Sequence, residues 1–242
     1  MAILDDKTAQ SQRTRIGRRL EDIAIHILNQ FLNSHDIYAV KGERNPLVKF
    51  LKSEVLADCL IEYNKLPVKN SCRQKQIDEY PDTDILILYH LDGDWKILGV
   101  INCKVSFHSR EVMVTFWGLT VRISTNIKYV CLTQDADQYR KKRSELGKSC
   151  DESTSARRLL ESFTDGIYII KNYASTDDPE LKADIERFKG FFDQLDDLEL
   201  VRMKSTTYFD DPNYEHHTAY CQKVRPFDDL IFDILRWKLE SS

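Results

Sequence analysis

The sequence predicts an α/β (α+β) fold, in which a central mixed β-sheet of four or more strands is flanked by helices. Short β-branched runs that begin at Asp84, Lys96 and Ile127 are typical of strands. The first two runs are separated by an Asp-Gly pair, which indicates a tight turn and therefore an antiparallel hairpin. Helical periodicity before, between and after these runs supplies the helices that cover such a sheet.

The N-terminal part of the chain predicts a long amphipathic helix. Between Arg15 and Ser34 the apolar residues follow the i, i+3, i+4, i+7 pattern of one helix face: Leu20, Ile23, Ala24, Ile27, Leu28, Phe31 and Leu32. A second helix is expected over residues 46–63. Residues 64–80 are polar, contain a proline and lack periodicity, so they are expected to form a loop.

The remaining elements are predicted from their apolar spacing. Val112, Phe116, Leu119 and Ile123 repeat at intervals of 4, 3 and 4 residues, which predicts a helix between the second and third strands. Phe116 and Trp117 of this helix are expected in the core. A further helix over 156–163 leads into a fourth strand at 166–171, and periodicity at 181–195 and 227–235 predicts helices towards the end of the chain.

Composition limits the class of protein. The chain has 242 residues with a formal net charge of −4, and residues 1–242 are expected to form a single domain. No apolar run approaches the roughly 20 residues that cross a bilayer, and no apolar signal core begins the sequence, so a cytoplasmic protein without membrane contact is expected. The six cysteines form no CxxC pair, which favours reduced thiols. A small net charge does not exclude DNA, because a local basic cleft is sufficient to bind it.

The informative stretch runs from residue 81 to residue 111. Asp84 begins one strand of the predicted hairpin, and Asn102 and Lys104 lie near the end of the other strand. Residues 102 and 104 share a face because side chains alternate along a strand. Lysine is rarely buried unless it is paired, so Lys104 in an apolar strand indicates a function. These three residues are the predicted catalytic group.

The chemistry that this group suits is hydrolysis of a phosphodiester. A carboxylate and a second oxygen ligand can hold a hard cation such as Mg²⁺. The cation stabilises charge on the phosphate and lowers the pKa of a bound water. The ammonium group of Lys104 can position or deprotonate the attacking water.

The pattern of Asp84 followed by the apolar strand, the hairpin and the segment Val100 to Lys104 resembles the core motif of the PD-(D/E)xK nuclease superfamily, and type II restriction endonucleases in particular. The resemblance covers about residues 80–135. It implies a restriction-endonuclease-like core, a site-specific double-strand DNA cleavage activity, and Mg²⁺ as the cofactor with Mn²⁺ as a substitute. It also implies a homodimer, and a cognate DNA methyltransferase as a functional partner that is not bound.

The resemblance extends to residues outside the strands. The segment GRRLEDIAIHIL is similar to the first helix of many restriction enzymes, whose glutamate supports the metal site, and this makes Glu21 a candidate. The implied metal ligands are Asp84, Asn102, Cys103, Glu111 and Glu21. The segment that begins at Lys104 is similar to the lysine, serine and arginine-acid series with which many restriction enzymes begin the following helix, and this makes Ser106 and Arg110 candidate DNA contacts. Arg13, Arg15, Arg18 and Arg19 are candidates for another reason, because arginine makes bidentate contacts to phosphates. A solvated helix face explains these four arginines equally well.

Asn102 departs from the family pattern, which has Asp or Glu at this position. One interpretation is that a carboxylate from the following helix compensates, which here would be Glu111, seven residues beyond Lys104. The other is that an engineered change of aspartate to asparagine has removed the charge that binds the cation. The sequence does not separate these two interpretations.

Three functions therefore compete. The first is a homodimeric type II restriction endonuclease. The second is a nicking, mismatch or structure-specific repair nuclease of the same superfamily, acting as a monomer. The third is a nuclease-like module that binds DNA without cleaving it, for which Asn102 is the supporting feature.

Overall fold

The computed structural model describes residues 2–63, 66–70, 75–79, 83–107, 111–135, 144–147, 149–204, 206–210 and 220–241, with side chains from Thr14 onward outside β2, β3 and Ser124. The helices are α1 (Ala2–Leu32), a 3-10 helix (Asn33–His35), α2 (Arg44–Leu51), α3 (Glu54–Tyr63), α4 (Glu111–Ser124), α5 (Ser155–Phe163), α6 (Pro179–Phe192), α7 (Asp197–Arg202) and α8 (Phe227–Ser241). The strands are β1 (Ile37–Lys41), β2 (Leu66–Asn70), β3 (Lys75–Glu79), β4 (Ile85–Leu91), β5 (Asp94–Lys104), β6 (Lys128–Thr133), β7 (Gly166–Ile169) and β8 (Val224–Pro226).

A mixed sheet of six strands in the order β1-β4-β5-β6-β7-β8 forms the centre of the molecule. β1, β4 and β5 are antiparallel neighbours, whereas β5, β6, β7 and β8 are parallel. Asp92 and Gly93 between β4 and β5 both have positive φ, at 53° and 90°. Asp and Gly tolerate this conformation in a tight hairpin turn. The predicted mixed α/β sheet and its hairpin are confirmed.

The two faces of this sheet are covered by different helices. On one face α1, α6, α7 and α8 pack their apolar residues against the sheet, and on the other face α2, α3, α4 and α5 do so. All seven apolar residues that predicted the first helix are buried in the first of these clusters. Cys103 of β5 faces that cluster and Val100 faces the other one. By alternation Asn102 and Lys104 lie on the face of Val100.

Some predicted elements are wrong in detail. The expected loop over residues 64–80 contains β2 and β3, which pair antiparallel in a separate two-stranded sheet. The expected helix over 46–63 is two helices, since Lys52 between them adopts a positive φ of 54°. Strands β1 and β8 and helix α7 were not predicted, because segments of three to six residues are too short to show a clear hydrophobic period.

The helix between the second and third strands is confirmed as α4, but it buries a different face from the expected one. Val114, Trp117 and Val121 are in the core, whereas the predicted stripe that includes Phe116 and Ile123 is exposed, at 53% and 77% for these two residues. The prediction of Trp117 as a core residue is confirmed and that of Phe116 is wrong. Both stripes are apolar, so the hydrophobic period alone could not decide which one meets the sheet.

Among the described residues, none of the helices combines the length and the apolar character needed to cross a membrane. The single-domain organisation over residues 1–242 stays a prediction.

Candidate active site

Asp84 lies immediately before β4 and is held in place by the end of β1. The Gly42 N–H, one residue beyond β1, donates to the backbone carbonyl of Asp84 at 3.1 Å. A Cβ atom at position 42 would come within 2.3 Å of the Thr83 carbonyl oxygen. Only glycine therefore allows the two segments to approach this closely. The sheet therefore fixes the backbone position of Asp84 independently of its side-chain contacts.

The Asp84 side chain reaches the end of β5, as the sequence predicts. Its Oδ2 atom accepts a hydrogen bond from the Cys103 N–H at 2.6 Å and lies 3.3 Å from the Nζ atom of Lys104. The side chains of Asp84 and Lys104 are 17% and 10% exposed. Charged groups so far removed from solvent are stable only when they are paired. This pair lies at the carboxyl end of β5, where parallel strands present their ligand-binding edge.

Asn102 is on the same face of β5 as Lys104 and is completely buried. A neutral amide is much less costly to bury than a carboxylate. An aspartate at this position would add a negative charge to a buried site that already contains Asp84.

Glu21 of α1 is electrostatically coupled to Asp84 from the other face of the sheet. Burial raises the pKa of the Glu21 carboxyl from 4.5 to about 7, with repulsion from Asp84 as the next cause. Lys41 at the end of β1 opposes this rise, and it is also ion-paired to Asp22 at 2.7 Å. Two acids that disfavour each other's charge at one sheet edge are typical of a functional site.

We expect the stability of the metal-free protein to fall as the pH rises from about 4.5 to about 7. The pKa of Glu21 is higher in the folded chain, so folding favours the protonated acid. Its contribution is complete below the unfolded pKa and is lost as the pH rises through the folded value. In the Glu21→Gln variant this part of the pH dependence should disappear, as measured by thermal unfolding in EDTA between pH 4 and pH 8.

The matched control is Glu186→Gln, which changes an exposed acid on α6. It should leave the pH profile unchanged. Parallel profiles for the unchanged protein and Glu21→Gln would contradict the raised pKa of Glu21.

The other two candidate ligands contribute in different ways. Glu111 is the first residue of α4 and is half-buried. Burial raises the pKa of the Cys103 thiol well above its usual value, so this side chain stays neutral and any ligand from Cys103 would be its carbonyl oxygen. Within the described residues, no three His, Cys, Asp or Glu side chains are grouped so that they could hold a metal ion.

One known protein family matches more than half of this chain. Residues 47–194 match the family model described as BsaWI restriction endonuclease type 2. The matched segment contains Asp84, Asn102, Lys104 and Glu111. The chain belongs to the BsaWI restriction endonuclease family. It is thus a type II restriction endonuclease, a site-specific deoxyribonuclease, as the sequence predicts.

Individual relatives of this BsaWI-family chain are distant. The curated protein named "Putative type II restriction enzyme MjaVIP", from Methanocaldococcus jannaschii, is 29% identical over 174 residues, which are 69% of each chain. The crystal structure of the specific AgeI–DNA complex has a TM-score of 0.46 and 16% identity, covering 74% of this chain and 69% of that chain. The pre-specific BsaWI–DNA complex has a TM-score of 0.44 and 13% identity, covering 80% and 68%.

The structure describes the side chains of four of the six predicted DNA contacts in this BsaWI-family chain. Arg15 and Arg18 of α1 are exposed, whereas Arg19 is half-buried and donates to Asn172 Oδ1 at 3.0 Å. Asn172 follows β7 and also accepts from Gln134 Nε2, just beyond β6. Arg19 therefore approaches the carboxyl ends of the parallel strands, where Lys104 also lies. The side chains of Arg13 and Arg110 lie outside the described residues, so their contacts stay predictions.

The last predicted contact, Ser106, belongs to a network that sequence reasoning missed. The Ser106 hydroxyl and the Phe107 N–H both donate to the Glu145 carboxylate, at 3.0 and 2.6 Å. The N–H groups of Glu145 and Leu146 donate in turn to Asp135 Oδ1, at 2.8 and 3.0 Å. These hydrogen bonds join the segment after β5 to the segment after β6. The connection begins at Ser106, two residues beyond Lys104. The position of Asp135 directly after an apolar strand could have indicated a functional residue from the sequence. No local sequence pattern indicates Glu145.

Proposed function

We propose that this BsaWI-family protein is a Mg²⁺-dependent restriction endonuclease that cleaves both strands of a specific DNA sequence as a homodimer. Asp84, Asn102 and Lys104 form its catalytic group. The observation that carries the proposal is the buried Asp84–Lys104 pair, with Nζ 3.3 Å from Oδ2, in a chain of this family.

The donor set at this edge fits a hard cation. Asp84 and Glu21 are carboxylates whose charges oppose each other, and this repulsion would be relieved by a positive ion between them. Mg²⁺ requires only one or two protein carboxylates, because waters and substrate phosphates complete its coordination. Asp84, Glu21, Glu111, the Asn102 amide and the Cys103 carbonyl are the residues that would hold it. Mn²⁺ has the same ligand preference and is expected to substitute.

The chain's own residues prepare the site for the scissile phosphate. The bound cation supplies charge stabilisation and a more acidic water. The Cys103 N–H and Lys104 orient the Asp84 carboxylate. The Lys104 ammonium group lies where it can hold the attacking water and offset charge that develops on the phosphate.

Binding of double-stranded DNA is assigned to the basic side of α1. The AgeI and BsaWI structures are described as DNA complexes. Arginine makes bidentate contacts to phosphates, and such contacts position a protein on DNA without reading its sequence. Arg13, Arg15, Arg18, Arg19, Ser106 and Arg110 are the proposed contacts. A cognate methyltransferase would protect the host sequence as a functional partner, and we place the enzyme in the cytoplasm.

The direct test is incubation with long DNA of mixed sequence and Mg²⁺, with an EDTA control and sequencing of the ends. With Mg²⁺ we expect discrete fragments whose ends share one sequence motif. With EDTA we expect no cleavage. Single-strand nicks at mismatches would favour a repair nuclease instead. Specific DNA binding without cleavage would favour the non-cleaving module, for which the amide at Asn102 is the supporting observation.

We expect Asn102→Asp to lower the stability of the metal-free protein by about 1–3 kcal/mol, because it adds a second carboxylate at a fully buried position next to the Asp84–Lys104 pair. Mg²⁺ should restore part of this loss. The measurement is thermal unfolding with EDTA and with Mg²⁺, together with the cleavage rate.

Asn126→Asp is the matched control, since Asn126 is exposed beyond α4. It should be neutral in both conditions. If Asn102→Asp instead raised both stability and cleavage, the site would be built for aspartate and the asparagine would be a lesion.

A further inference from the structure

The segment that follows Lys104 is held by the carboxylate of Glu145. The two oxygen atoms of this carboxylate accept different hydrogen bonds, Oε1 from the Ser106 hydroxyl at 3.0 Å and Oε2 from the Phe107 N–H at 2.6 Å. Hydrogen bonds to an ionised acceptor are stronger than those between neutral groups, and two of them on one planar group also fix its orientation. Glu145 therefore restrains the backbone directly beyond the lysine of the proposed catalytic group.

Phe107 is fixed a second time by its side chain. The residue is 1% exposed and its side chain belongs to the apolar cluster on the α4 face of the sheet. A side chain in a close-packed core cannot move without disturbing its neighbours. Packing thus holds the side chain of Phe107 and Glu145 holds its N–H, although this residue lies in neither a strand nor a helix.

The backbone of Glu145 is itself held by side chains from two other segments. Its N–H and that of Leu146 donate to Asp135 Oδ1 at 2.8 and 3.0 Å. Its carbonyl oxygen accepts from the Thr154 hydroxyl at 2.6 Å. Leu146 is completely buried, and Thr154 caps the start of α5. The position of the Glu145 carboxylate is therefore set by packed parts of the fold.

These contacts lie where the sheet ends beside the proposed site. β5 and β6 are parallel neighbours, and Lys104 and Thr133 are the last pair in their register. Asp135 is two residues beyond Thr133, as Ser106 is two residues beyond Lys104. Asp135 has a positive φ of 47°, a conformation that is uncommon outside glycine and often occurs at functional sites. The Asp135–Glu145 contacts thus continue the restraint beyond the point where strand pairing ends.

We propose that Glu145 is a positioning residue for DNA cleavage, which keeps Lys104 in the orientation that the reaction requires by fixing the segment that follows it. This inference rests on the proposed nuclease function and adds a residue to it. Groups that act on a scissile phosphate must be placed accurately, and a displacement of about 1 Å can cost about 10² in rate. Loss of the Glu145 contacts should therefore slow the chemical step and leave the binding of DNA and Mg²⁺ intact.

Glu145→Gln tests this role, because the amide keeps the shape of the side chain but replaces one acceptor oxygen by a donor. Under single-turnover conditions with saturating DNA and Mg²⁺, we expect the cleavage rate constant to fall about 10- to 100-fold. The affinities for Mg²⁺ and for DNA in Ca²⁺ should change less than about threefold. Partial unfolding would lower the amplitude of cleavage and not its rate constant, so a merely structural defect is distinguishable.

Amide hydrogen exchange supplies a second measurement that requires neither DNA nor metal. In the unchanged protein the Phe107 N–H should exchange slowly, and in Glu145→Gln it should exchange at least about tenfold faster. The matched control is Glu152→Gln, which changes an exposed acid between β6 and α5. This control should alter neither the exchange nor the cleavage rate.

Slow cleavage together with fast exchange at Phe107 in Glu145→Gln supports the inference. Fast exchange at Phe107 in the unchanged protein overturns it, because Glu145 then does not hold this segment in solution. A Glu145→Gln protein that cleaves at the normal rate also overturns it, while the nuclease proposal stands. Absence of cleavage by the unchanged protein contradicts the nuclease proposal itself, and a role of Glu145 in cleavage is overturned with it.

Discussion

Lys104→Ala is expected to reduce DNA cleavage at least about a thousandfold while DNA affinity changes little. The ammonium group of Lys104 lies next to the Asp84 carboxylate at the end of β5. A positioned proton-transfer group or charge-stabilising donor contributes about 10²–10⁴ to a rate. Affinity depends mainly on the many phosphate contacts made by other basic residues. Cleavage of the mapped site and DNA binding in Ca²⁺ or EDTA are measured side by side.

Lys96→Ala is the matched control, because Lys96 lies on the same strand but is exposed. The Lys96→Ala variant also loses one positive charge from β5, and it should cleave DNA at the rate of the unchanged protein. If the Lys104→Ala protein still cleaves DNA, Lys104 is not part of the catalytic group, whatever the affinity of the variant for DNA.

Asp84→Asn is expected to abolish metal-dependent cleavage, with a loss of about a thousandfold or more. The amide can still accept the Cys103 N–H bond, so the local backbone should be preserved. The negative charge that attracts the cation and pairs with Lys104 is removed. Calorimetric titration with Mg²⁺ or Mn²⁺ should show weaker binding, and this separates a metal defect from a folding defect.

Asp92→Asn serves as the control for this change. Asp92 lies in the β4–β5 turn at positive φ, a conformation that asparagine also tolerates. Its cleavage rate and metal affinity should equal those of the unchanged protein. Normal metal affinity in Asp84→Asn would show that other acids hold the cation.

The two site predictions depend on different parts of the fold. Lys104 is positioned by β5 itself, whereas Asp84 precedes β4 and is placed by Gly42 at the end of β1. Glu21 reaches the same edge from α1 on the other face of the sheet. The Asp135–Glu145 network then holds the loop that follows Lys104. The geometry of the proposed site therefore depends on several elements of the sheet edge and not on the hairpin alone.

The hairpin and the first helix could be predicted from the sequence because their signals are local. An Asp-Gly pair specifies a tight turn, and seven apolar residues at helical spacing can be buried only on one side of α1. With the turn in place, the distance along the hairpin brings Asp84 and Lys104 to the same end. This is why the proximity of Asp84 and Lys104 could be predicted from one stretch of chain.

Tertiary packing alone decided the other features. α4 has two apolar stripes, and only its contact with the sheet shows that Trp117 is buried and Phe116 exposed. The pKa of Glu21 depends on Asp84, which lies 63 residues away in the sequence, and Glu145 meets Ser106 across 39 residues. Hydrophobic period and turn chemistry act over a few residues, whereas burial and Coulomb interactions depend on distance in space. The sequence therefore determined the hairpin and the approach of Asp84 to Lys104, and the folded sheet determined which acids lie near this pair and which side of α4 is buried.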